Sequence, residues 1–221
     1  MRWINILRLT LLLIFSVPLF VQAQKTVAGF YVDLNNDSIP ATFKLPKRIP
    51  TYLADQFDGR TDFSLLKEEI EVVDKAGGTQ RLTPRDIKGF GFTYNSNTYK
   101  LLAKPVSPYQ KKFLTPEVTG KKLKMYQYTI VHPGTAYHWD GFPAKGGTSP
   151  WKEYYWTFEK HDRTYLFLNS NMRKKELVKM LKEFFKDDPQ MHELVESKFK
   201  GFILSGRHEL IKSIAEAYNE G

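Results

Sequence analysis

The sequence predicts an α+β fold, with an antiparallel β-rich N-terminal two-thirds and a C-terminal three-helix segment packed on it. Two observations carry the prediction. Between about residues 30 and 168, apolar and polar residues alternate between Asn-, Asp- and Gly-rich turns, the two-residue period of strands. Beyond residue 172 the apolar spacing becomes three and four, the stripe of a helix with one buried face.

The first element is a leader. Arg2 and Arg8 are followed by residues 9–21, apolar except for Thr10, Ser16 and Pro18. Val21-Gln22-Ala23 then places small or β-branched residues where a signal peptidase inspects the chain. The apolar run is shorter than the roughly 20 residues a spanning helix needs. Residues 1–23 are therefore expected to be a cleaved signal peptide, the mature chain to begin at Gln24, and the product to be exported to the periplasm or cell surface. No transmembrane insertion is expected after cleavage, because no later segment is long and apolar enough.

The chain has no cysteine, which excludes a disulfide framework, a thiolate nucleophile and a thiolate metal site. Such an exported chain fits a bacterial envelope. The net charge of +9 falls to +7 without the leader's two arginines. The lysines are spread rather than gathered, and with export this argues against nucleic acid. The partners expected are an envelope protein, a glycan or an anionic surface.

The β-rich unit is expected over residues 24–169. Phe30, Val32 and Leu34 alternate on one face, Asn35-Asn36-Asp37 turns the chain, and Ile39, Ala41, Phe43 and Leu45 form the return strand. Pro40 lacks an amide donor, so that strand is expected at an edge or only partly paired. Residues 46–66 include a long loop. Residues 69–74 and 79–82 form a hairpin around Gly77-Gly78. Residues 87–94 place Phe90, Phe92 and Tyr94 opposite Gly89 and Gly91, a bare face that neighbouring backbone would cover. Asn95-Ser96-Asn97 turns into residues 99–103, and further strands are expected at 122–131, 153–159 and 163–168.

The helical segment covers residues 170–221. Leu177, Met180, Leu181 and Phe184 form one stripe. Asp188 caps a second helix with Pro189 at its first position, faced by Met191, Leu194 and Val195 and closed by Gly201. Ser205 caps a third, whose buried face is Leu210, Ile211, Ile214 and Tyr218.

Gly29-Phe30-Tyr31-Val32, Asn36-Asp37-Ser38-Ile39, Asp86-Ile87-Lys88-Gly89-Phe90 and Tyr218-Asn219 together give the chain its family likeness. It resembles a group of exported proteins of unknown function common in Bacteroidota, although Ser38 stands where threonine is usual and Asn36 where glycine is commoner. The resemblance covers most of the mature chain and implies compartment and architecture. It brings no catalytic residues with it.

Candidate chemistry is sparse. His132, His138 and Asp140 fall close together, but their spacing matches no ligand motif and they are expected to be polar loop residues. His161, His192 and His208 are expected at the surface. Ser205-Gly206 lacks the glycines of a nucleophile elbow. Glu68-Glu69 and Asp187-Asp188 are neighbours in sequence, not carboxylates across a cleft. No catalytic residue, metal ligand or cofactor is assigned.

One region stands out. Trp139, Trp151 and Trp156, all the tryptophans beyond the leader, fall within 18 residues, among four glycines and three prolines between His132 and Lys152. Long loops in compact domains are often functional, and aromatic rings offer stacking surfaces. Tyr137, Trp139, Asp140, Phe142 and Trp151 are the candidate ligand-binding residues, and Trp156, alternating with Tyr154 and Phe158, belongs to the core. The function expected is a non-catalytic binding or assembly module of the envelope. The alternative is a secreted hydrolase of cell-wall or other polysaccharide or peptide polymers, with its acid and base in the same region.

Overall fold

Asn36 takes the left-handed backbone that its residue type tolerates (φ 76°), and Asp33 Oδ1 accepts the amides of Asn35 and Asp37 at 2.8 and 2.9 Å. Around that turn β1 (Thr26–Asp33) and β2 (Ser38–Lys44) pair antiparallel. The computed structural model describes residues 26–45, 66–73, 77–132, 138–139, 142–143, 151–200 and 206–221. Within them follow β3 (Ile70–Val73), β4 (Thr79–Leu82), β5 (Ile87–Tyr94), β6 (Asn97–Ser107), β7 (Gln110–Thr119) and β8 (Leu123–His132). Next come the two-residue strands β9 (His138–Trp139) and β10 (Phe142–Pro143), then β11 (Trp151–Lys160) and β12 (Tyr165–Asn169). The chain ends in α1 (Lys174–Phe184), α2 (Pro189–Phe199) and α3 (Arg207–Glu220). The expected α+β class is the observed one.

Ten strands form one antiparallel sheet in the order β12-β11-β8-β7-β6-β5-β1-β2-β3-β4, while β9 and β10 pair separately. Pro40 behaves as its missing donor requires. It faces Phe30 on β1, but β3 pairs only with Thr42, Phe43 and Lys44, beyond the proline.

Burial decides which face of β1 is turned inward. Phe30 is 38% exposed and Leu34 57% exposed, whereas Val27 and Tyr31 pack on the core with Phe43, Phe90 and Phe92. Phe30 points outward because Gly91 lies directly opposite, and a methyl group there would stand 3.0 Å from the Phe30 ring. A ring, not backbone alone, covers the bare glycine face. Gly29 faces the crowded side, where a side chain would overlap the Gly91 carbonyl oxygen.

β7 leaves no strand pattern in the sequence. Pro116 and the run of lysines before Phe113 hide its alternation, yet Phe113 is 1% and Leu114 0% exposed. β6 also runs further than expected, through Pro105 to Ser107.

The helices cover the sheet half made of β7, β8, β11 and β12. Leu177, Leu181, Val195, Phe199, Ile211 and Ile214 pack there on Met125, Trp156, Phe158 and Leu168. Asp188 caps α2 as expected, its side chain accepting the amides of Gln190 and Met191 at 3.1 and 3.2 Å. The N-cap of α3 is Gly206 (φ 104°), with no side-chain cap, in place of the expected Ser205. Ser205 and Gly201 lie outside the described residues.

Asn219 ties α3 to the sheet. Its Oδ1 accepts the amides of Lys122 and Leu123 at 3.2 and 3.0 Å, and its Nδ2 donates to the carbonyls of Leu123 and Ala215, both at 3.0 Å. Losing the carboxamide strands part-buried backbone groups, so Asn219→Ala is expected to cost about 2 kcal/mol, read as a lower urea midpoint at unchanged m-value.

Candidate functional site

The site arises where the sheet forks. β7 pairs with β8 only from Thr119↔Lys124 to Thr115↔Gln127, with a bulge between Pro116 and Val118. Beyond that, the β7 residues Gln110–Leu114 stay with β6, and Tyr128–His132 of β8 stay with β11. Pro116 has no amide to donate, and a bulge bends the strand that carries it. β6 carries its own proline and irregularity, between Pro105 and Ser107.

The fork does not fall apart, because polar bonds tie its arms. Thr157 Oγ1 on β11 donates to the Pro105 carbonyl at 2.9 Å. Lys104 reaches Glu159 at 2.6 Å and lies 4.7 Å from the centre of the Tyr126 ring. Lys112 meets Glu68 at 2.6 Å and lies 5.1 Å from the centre of the Tyr128 ring. Between the arms is a cavity of about 400 Å³, lined in part by Gln110, Lys112, Tyr128, Tyr155, Phe167 and Asn169. Tyr128 and Tyr155, partners in register, stack with centroids 4.6 Å apart.

Burial and the neighbouring carboxylate Glu153 push Tyr155 up to about 12; burial likewise raises Tyr128. These phenols stay neutral and able to donate. Burial alone would raise Glu159, but hydrogen bonds from Lys104 and Tyr126 and the charges of Lys104 and Lys124 outweigh it, holding the carboxyl below the ordinary glutamate range. A lowered folded-state value means that the unfolded chain takes up the proton first on acidification. The pair's contribution is therefore present above the unfolded value and is lost as pH falls through the folded one. Stability should drop more across the range below pH 5 in the parent than in Glu159→Gln, as read from urea midpoints.

Along the same face lies the stem of the aromatic region. His132 ends β8 opposite Trp151, which begins β11; the rings stack at 3.8 Å and 8°. His132 Nε2 lies 3.1 Å from Glu153 Oε2, and Asn171 Nδ2 donates to Glu153 Oε1 at 2.6 Å. Glu153 is 7% exposed, whereas Trp151 is 46% exposed. An exposed indole is thus held flat on an imidazole that a buried carboxylate holds in turn.

Of the candidate residues, Trp151 stands on this face. Trp139 and Phe142 are partners in the β9–β10 register. Tyr137 and Asp140 lie outside the described residues. His132 is a strand residue bonded to Glu153, not a loop residue. His208 is also not a plain surface residue: Trp156 Nε1 donates to His208 Nδ1 and to Gln127 Oε1, both at 3.2 Å. His192 has a buried Nε2 without a partner among the described residues. The sequence reading missed Glu153, Asn171, Tyr128, Tyr155 and Lys112; the one signal was the alternation of Glu153, Tyr155, Thr157 and Glu159 opposite the core face of β11.

Chemically, His132–Glu153 has the form of a base with its orienting acid. Among the described residues Glu153 is the one polar side chain bonded to His132, and Trp151 covers one face of the imidazole. No group of three or more His, Asp or Glu side chains among the described residues is placed to hold a metal ion. Comparison of the chain with protein-family models, with curated proteins and with solved structures gave no match.

Proposed function

We propose that this protein is an exported, non-catalytic binding or assembly module of the cell envelope, with the Trp151 end of the sheet as its contact surface. The observation that supports the reading is the exposed Trp151 ring, stacked at 3.8 Å on His132. Large exposed rings held in one orientation lose little conformational freedom on binding, which favours a contact role. Export rests on the leader alone.

The test is co-sedimentation of the secreted, full-length product with purified cell-wall sacculi and with outer-membrane vesicles. The parent should sediment with one of these, and Trp151→Ala should lose most of that binding. Mass spectrometry of the recovered protein should place its first residue at Gln24. Equal sedimentation of parent and variant would remove Trp151 from the contact, and retention of residues 1–23 in the membrane pellet would overturn export. If His132→Ala abolished release of soluble fragments from sacculi, the hydrolase reading would replace this one.

A further inference from the structure

We propose that the fork between β7 and β8 seats one ring of a neutral, β-linked oligosaccharide, a ring further along which stacks on Trp151. The inference rests on the binding reading above and names its ligand class.

The cavity of about 400 Å³ falls within the range of small-ligand pockets. Its walls combine flat rings, Tyr155, Tyr128 and Phe167, with polar groups still able to bond. The Tyr128 hydroxyl, the Gln110 carboxamide and Asn169 Nδ2 have no hydrogen bond among the described residues, while Asn169 Oδ1 is held by the amides of Asn171 and Met172. Rings plus unengaged donors and acceptors suit a ligand with apolar C–H faces and many hydroxyls. Equatorially linked pyranoses have that character, since each ring turns a flat C–H face to an aromatic and its hydroxyls to the sides.

Charge selects against an anion despite the basic chain. Lys112, the cation lining the cavity, is bound to Glu68 at 2.6 Å. The next charged group along β11 is the carboxylate of Glu153, bound by Asn171. An anionic ligand in the cavity would meet an ammonium already neutralised, with two carboxylates nearby; Lys67, 5.8 Å from the centre of the Tyr128 ring, does not line the cavity. A neutral ligand meets neither penalty.

Spacing makes the ligand an oligomer. Trp151 and Tyr155 share one face of β11, four residues apart, or roughly 13 Å along an extended strand. A single sugar cannot touch both, and a chain of several rings can.

The experiment is isothermal titration of the mature protein with chitohexaose, cellohexaose and the anionic, equally β-linked hexamer of mannuronate, with the corresponding monosaccharides as controls. At least one neutral hexamer should bind saturably, at least tenfold more tightly than its monomer and than the mannuronate hexamer. Gln110→Ala should weaken it several-fold, and Gln110→Ala/Tyr128→Phe at least tenfold. Gln110 is exposed and unbonded, so its replacement leaves the fold intact, and a thermal melt checks the double variant. No saturable binding of either neutral hexamer, tighter binding of the mannuronate hexamer, or unchanged affinity in both variants would overturn the proposal. If Trp151→Ala weakens binding while the fork variants do not, the Trp151 contact stands and the fork site falls. If hexamers fail but sacculi still capture the parent through Trp151, the same conclusion follows.

Discussion

Ending the chain at Asn169 should abolish cooperative folding. The helices supply one whole side of a core: Leu177, Leu181, Phe185, Val195, Ile211 and Ile214 are each 0% exposed against Met125, Trp156, Phe158 and Leu168 of the sheet. Burying a side chain of this size contributes about 1.5 to 3 kcal/mol, so the six together contribute about 9 to 18 kcal/mol, as much as the 5 to 15 kcal/mol by which domains are usually stable. Two specific ties go with them. Asn219 no longer closes the start of β8, and His208 no longer accepts from the Trp156 indole. The truncated product should aggregate or bind a dye for exposed apolar surface, with no sigmoidal melt. A soluble product with a single sharp transition would show that the β-rich part stands alone.

Trp156→Ala should be the costliest single substitution in the aromatic region, at about 3 to 5 kcal/mol. The ring is 1% exposed within the core. Its indole also donates to Gln127 and His208 at 3.2 Å each, so the truncation empties a large volume and leaves two part-buried acceptors without their donor. A urea titration gives the cost directly. A loss below about 1.5 kcal/mol would mean that the helices close over the gap.

Trp156 was legible as core because Tyr154 and Phe158 flank it at the strand period, and the stripes of α1 and α2 were legible because Leu177, Leu181, Met191 and Val195 repeat at helical spacing. β7 was not legible: Pro116 removes a donor and Lys112 is a lysine in a buried position, made tolerable by Glu68, which lies 44 residues earlier. The outward turn of Phe30 follows from a glycine on another strand, which no local pattern reveals. Tryptophan density singles out Trp151, which stands exposed at the end of β11. Its backing by His132, Glu153 and Asn171 was hidden, because it depends on the β8–β11 register and on a turn after β12.

Trp151→Ala, measured for stability and for binding on the same preparation, tests the account most directly. The ring is 46% exposed and rests on His132 from the outside, so its removal should shift the urea midpoint by the equivalent of roughly 0.5 kcal/mol or less. Sedimentation with the envelope fraction that captures the parent should fall at least tenfold, and iodide should quench less of the remaining fluorescence. A loss of several kcal/mol with sedimentation unchanged would contradict the account, making Trp151 part of the packing and leaving the contact surface elsewhere.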